Sequence, residues 1–215
     1  MDYGIKVTNE NNDVQIDSQY RNMVVLGRGV ATTPWTVRGC GDRRFKIPFN
    51  FSENPEAIIA VRPRGQETIC SIGKSGSEFF VITKSPGTDE ALDYIIYGII
   101  PPGGSTQAYG LLVYSPSGVK VFDSSFEYMK ITDVMVFPVG SSSSYRFIVT
   151  KNIPSGKEGL YFLTVTSACS SEQFGPQSRG YFPAHTGFTN DGKIIVDNMT
   201  DHDIPEFTVF LVDPS

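Results

Sequence analysis

Hydrophobic residues along this chain recur at every second position, in short runs separated by glycine, proline and small polar residues. The opening "YGIKVTNENNDVQID" carries Ile5 and Val7, then a polar "NENND" cluster, then Val14 and Ile16. This is the pattern of a half-buried strand, a turn and a returning strand, over about 4–8 and 14–17. The same reasoning predicts strands around 57–62, 79–83 and 94–99 in the first half of the chain. In the second half it predicts strands around 110–114, 119–123, 131–137, 145–150, 160–166, 194–197 and 206–212. No stretch has the period of a long helix. "SPGTDEALDY" at 85–94 offers one helical turn, and "SSEQFGPQSRG" at 170–180 reads as a long loop. "GFTNDGKIIVDN" at 187–198 sets "NDG" between apolar stretches, the signature of a hairpin.

The pattern is written twice. "YGIKVTNENNDVQIDSQY" from Tyr3 aligns without a gap on "YGLLVYSPSGVKVFDSSF" from Tyr109, at a separation of 106 residues. Tyr3/Tyr109, Gly4/Gly110, Val7/Val113, Asp17/Asp123 and Ser18/Ser124 are identical, and Ile5/Leu111, Ile16/Phe122 and Tyr20/Phe126 keep their apolar or aromatic type. Lys120 stands where Val14 does, so the second returning strand turns inward either Val119 and Val121 or Phe122. The ends of the halves also correspond: "DYIIYGIIP" at 93–101 aligns with "EFTVFLVDP" at 206–214. A repeated start and a repeated end define a duplicated unit. The expected architecture is all-β, with two tandem, internally duplicated antiparallel β-sandwich domains, 1–100 and 109–215. "PPGGSTQA" at 101–108 is the linker between them. Asp17-Ser18 and Asp123-Ser124 close each returning strand. There a short acceptor side chain can take backbone N–H groups one or two residues on and hold the chain as it leaves the sheet. The alternative role, a cation ligand or catalytic carboxylate, lacks a second carboxylate nearby in both copies.

Composition narrows the class. The 215 residues are 40% hydrophobic and 19% charged, with 21 Gly and 14 Pro, as expected of a soluble β-rich globular chain. The apolar runs fall well short of the roughly 20 residues of a membrane-spanning helix, so no membrane insertion is expected. "MDYGIKV" has no basic segment followed by an apolar one, which points to synthesis in a cytoplasm without a secretory signal. A net charge of −5 disfavours nucleic acid as a partner. Arg38, Arg43, Arg44 and Lys46, with Arg62 and Arg64 following, form a local basic cluster, expected to be a solvated loop or to contact an acidic neighbour.

Candidate chemistry is sparse. Cys40, Cys70 and Cys169 are odd in number and widely spaced, and are expected as reduced structural thiols. His185 and His202 are the only histidines, and neither lies in a nucleophile motif. His202 stands between Asp201 and Asp203, but adjacent residues seldom converge on one ion, so no metal is assigned. Carboxylate pairs cannot be judged from spacing alone. Asn50-Phe51-Ser52 and Asn198-Met199-Thr200 match the glycosylation pattern, by chance in a chain without a secretory signal. Trp35 and the other aromatics are expected to fill the core more than to build a sugar-stacking platform. No catalytic residue, cofactor-binding residue or cofactor is assigned, and the chain is not expected to be an enzyme.

The opening motif (Tyr3, Gly4, Ile5, Val7, Asn9, Val14, Ile16, Asp17 and Ser18, then Tyr20-Arg21-Asn22) resembles the start of small tail proteins of tailed bacteriophages. That resemblance implies a structural virion protein of the tail tip, baseplate or fibre region, synthesised in the bacterial cytoplasm. Its partners would be other tail proteins (hub, tail tube or fibre) and copies of itself. The alternative is a receptor- or carbohydrate-binding module of the tail, with a host surface receptor or glycan as partner. No receptor-binding residue carries over from the resemblance.

Overall fold

A computed structural model of the chain describes residues 6–8, 10, 14–17, 22–32, 35–36, 43–64, 69–84, 91–100, 110–138, 147–156, 159–164, 169–174, 178–183, 185–188, 193–198 and 206–214. Among the described residues there is no helix. The first sequence half forms β1 (Lys6–Thr8), β2 (Val14–Asp17), β3 (Met23–Ala31), β4 (Trp35–Thr36), β5 (Arg43–Pro48), β6 (Ile58–Pro63), β7 (Ile69–Ser75), β8 (Glu78–Lys84) and β9 (Leu92–Ile99). The second forms β10 (Leu112–Tyr114), β11 (Lys120–Asp123), β12 (Lys130–Pro138), β13 (Phe147–Asn152) and β14 (Tyr161–Thr164). It continues with β15 (Cys169–Phe174), β16 (Ser178–Pro183), β17 (His185–Phe188), β18 (Lys193–Asn198) and β19 (Glu206–Asp213).

The strands assemble into a six-stranded sheet in the order β12-β19-β14-β6-β9-β3 and a seven-stranded sheet in the order β13-β18-β17-β7-β8-β5-β4. Three two-stranded sheets, β1-β2, β10-β11 and β15-β16, complete the set. Each large sheet reads from strands of one sequence half into strands of the other. The changeover is antiparallel in both, with Phe162 of β14 opposite Val61 of β6, and Thr186 of β17 opposite Cys70 of β7. At the two ends of the six-stranded sheet, the beginning of β3 meets the residues leading into β12. Met129 N–H donates to Met23 O (2.9 Å), Val25 N–H donates to Glu127 O (2.8 Å), and Val24 bridges Tyr128 antiparallel.

The chain divides into two compact units, and each draws on both sequence halves. One comprises Met1–Arg28, Asn50–Ile58 and Ile95–Lys130. It holds both small hairpins and buries Val24, Ala57, Ile95, Tyr97, Val113 and Val121. Within it Asn54, itself buried, clamps β9: its Nδ2 donates to Ile99 O (2.7 Å) and its Oδ1 accepts from Ile99 N–H (3.2 Å). The other unit comprises Gly29–Phe49, Ile59–Tyr94 and Ile131–Ser215. It contains the whole seven-stranded sheet, where alternation sends Phe45 and Ile47 of β5 and Phe79 and Val81 of β8 into the interior. Phe137 of β12 and Leu211 of β19 are buried in the same unit.

The linker expected at 101–108 lies outside the described residues, and the compact units are not the segments 1–100 and 109–215. The stretch 170–180, expected as a loop, contributes to β15 and β16, paired from Cys169 opposite Pro183 to Phe174 opposite Ser178. Its side chains give no apolar alternation because backbone hydrogen bonds alone can hold a ladder whose residues are mostly polar. Of 85–94, Leu92 onward is strand β9, and 85–90 lies outside the described residues. The hairpin expected at 187–198 is present as β17-β18, with Phe188 opposite Ile194.

Candidate functional site

The repeated motif becomes two hairpins with one register. In the first, Lys6 lies opposite Asp17, Val7 opposite Ile16 and Thr8 opposite Val14, with a bulge between Val7 and Thr8. In the second, Leu112 lies opposite Asp123, Val113 opposite Phe122 and Tyr114 opposite Lys120, with a bulge between Val113 and Tyr114. Every partner and the bulge itself are displaced by the same 106 residues as the sequence repeat.

In the second hairpin the side chains show why the identical residues are needed. Asp123 is buried, and its Oδ1 accepts from Ser125 N–H (3.1 Å) and Ser125 Oγ (2.5 Å), an Asx turn that carries the chain out of the strand. Lys120 Nζ reaches Asp123 Oδ2 at 3.1 Å and neutralises it. Ser124 Oγ accepts from Leu111 N–H (2.8 Å), and Ser124 N–H donates to Leu111 O (2.9 Å), which closes the open end of the hairpin. A Cβ on Gly110 would lie 2.7 Å from that hydroxyl, and Gly110 has φ +154°, so a side chain there would be both crowded and strained. Val113 is buried. Gly110 and Ser124 thus depend on one another, and Val113 and Asp123 are buried in the same hairpin. In the first hairpin Asp17 holds the corresponding register position, while Gly4 and Ser18 lie outside the described residues.

Tyr128 extends this cluster. Its ring stacks on Phe122 at 4.7 Å between centroids, its hydroxyl donates to Asp123 O (2.9 Å), and it accepts from Asp123 N–H (2.5 Å). Burial raises the Tyr128 phenol above its usual value, the adjacent Asp123 charge adds to the rise, and the backbone hydrogen bond opposes it. At the tip, "SPSG" makes the turn. Gly118 N–H donates to Ser115 O (2.9 Å), Ser115 N–H donates to Val119 O (2.7 Å), and Gly118 sits at φ +78°. Of the alternative inward residues, Val121 is buried, Phe122 is half-buried and Val119 is exposed.

The basic cluster resolves into two separate sets. Arg62 and Arg64, two apart on β6 and its continuation, converge on Asp93 of β9, which is buried. Arg64 donates to Oδ1 through Nε (3.0 Å) and Nη2 (2.7 Å), and Arg62 donates to Oδ2 through Nε (3.3 Å) and Nη2 (3.1 Å). Arg62 also donates through Nη1 to Gly159 O (2.6 Å) and lies 5.0 Å from the centre of the Tyr161 ring. The hydrogen bonds from Arg64, aided by those from Arg62, outweigh burial and hold the Asp93 carboxyl below its usual value. Arg44 and Lys46 of β5 instead meet Glu78 at 3.4 and 3.6 Å, with Arg44 over the Phe80 ring at 4.4 Å. Both sets are contacts to acidic neighbours within the fold. Arg43 lies in β5, and Arg38 lies outside the described residues.

Other sequence candidates are scattered. His185 lies in β17, Cys70 in β7, Cys169 in β15 and Trp35 in β4, while His202 and Cys40 lie outside the described residues. Asn50 Oδ1 accepts from Ser52 N–H (3.2 Å) and Ser52 Oγ (2.6 Å), so its side chain caps a turn. Asn198 pairs with Phe147 in the β13-β18 ladder. Among the described residues no three of His, Cys, Asp and Glu converge as a metal site would require. Among the described residues no helix is long and apolar enough to cross a membrane. Sequence reading missed Asp93, Lys120, Ser125 and Tyr128. For Asp93 a signal was present: a carboxylate in the apolar run "LDYIIYGII" needs a cation, and arginines two apart on one strand can supply a pair. No family model, curated protein or solved structure matches the chain.

Proposed function

We propose that the protein is a structural component of a bacteriophage tail, in the tail-tip, baseplate or fibre-attachment region, acting through protein–protein contacts rather than catalysis. The observation that carries this reading is the fate of the opening motif. In its second copy the polar side chains of Lys120, Asp123 and Ser124 are spent on building a hairpin, as expected of a scaffold residue set rather than of a reactive site. The resemblance of residues 3–22 to tail-protein openings supplies the kind of assembly, other tail proteins supply the partners, and the virion is the location.

The same reading includes an internally duplicated β-sandwich. Taken in order, β1, β2, β3, β5, β6, β7, β8 and β9 have counterparts in β10, β11, β12, β13, β14, β17, β18 and β19. β4 and the β15-β16 hairpin are additions specific to one copy. With those counterparts, both sheet orders are palindromes about β6/β14 and β7/β17, which supports two copies related by a local twofold. Mass spectrometry of purified particles tests the function: the chain is expected in mature virions in stoichiometric amount. Its absence from them overturns the structural role.

A further inference from the structure

We draw no further inference here: the strongest candidate, the exposed apolar surface of Ile131, Val134 and Val136 on β12 at the end of the six-stranded sheet, carries nothing because nothing in the structure shows what covers it.

Discussion

Replacing Asp123 with alanine removes the residue on which the second hairpin turns. Two hydrogen bonds from Ser125 and one from Lys120 are lost together. The bond to the Ser125 N–H is a cap-type interaction, whose loss typically costs about 1 kcal/mol. The Lys120 ammonium, with its side chain only 20% exposed, loses a carboxylate 3.1 Å away, and a charge-assisted bond of this kind contributes about 1.5–3 kcal/mol. Together these predict a destabilisation of about 3 kcal/mol, or roughly 6–12 °C in Tm for a chain of this size. Asp123→Asn keeps the shape and the Oδ1 acceptor but loses the charge, so it should cost about half as much. Denaturant unfolding followed by far-ultraviolet circular dichroism measures both. A loss below about 0.5 kcal/mol for Asp123→Ala would refute the account of this residue. If stability were unchanged while the variant lost calcium binding measured by calorimetry, the carboxylate would be a ligand and not a turn device.

Asp93→Asn should destabilise by about 1–3 kcal/mol in urea titrations, because two arginines lose a charged acceptor, with the figure moderated by their partial exposure. Since the folded-state carboxyl is held below its usual value, its contribution is present above the ordinary carboxylate range near 4 and fades as pH falls through the folded value. The acid limb of a stability–pH profile should therefore be shallower in Asp93→Asn than in wild type. Gly98→Ala would place a Cβ 2.5 Å from Leu26 Cδ1 and 2.6 Å from Asn54 Oδ1, disturbing the clamp on β9, and thermal melts should show a loss of about 1–3 kcal/mol. Glu127→Ala removes only the Arg28 ion pair between side chains 47% and 43% exposed, and should shift stability by less than about 0.5 kcal/mol in the same melts.

The strands legible from sequence were those whose apolar residues face one interior without interruption. β9 is the clearest, a nearly continuous buried run from Leu92 to Ile99, and β8 alternates cleanly through Phe79 and Val81. β5 was hidden by its charges: "RRFKIP" reads as part of a basic loop, yet Phe45 and Ile47 point inward while Lys46 points out and Arg44 is held by Glu78. β3 was not predicted: the glycines of "LGRG" interrupt its apolar alternation, and they are carried in a strand at the end of the six-stranded sheet. The equivalence of the two hairpins was legible because their alignment is unbroken, whereas the inward set of the second returning strand was open between Val119 with Val121 and Phe122, because Lys120 replaces Val14 and blurs the alternation. The Asp93 cluster was not, since pairing between β6 and β9 joins residues about thirty apart and no local pattern reports it.

The two buried carboxylates with described surroundings, Asp93 and Asp123, are each neutralised from within the fold, one by arginines of a neighbouring strand and one by a lysine three residues away. Desolvating a carboxylate is costly unless such partners are supplied, so both positions constrain which strand lies beside which more than they add net stability. The repeat shows the same economy in a different form. Gly110, Val113, Asp123 and Ser124 fit together through a close approach, a buried methyl pair, an Asx turn and a hydroxyl acceptor, and each matches an identical residue in the other copy. Some residues outside that set differ in chemistry at equivalent positions, as Lys6 and Leu112 or Thr8 and Tyr114 illustrate. A hairpin held by a few residues leaves its outward positions free to change without altering its pairing.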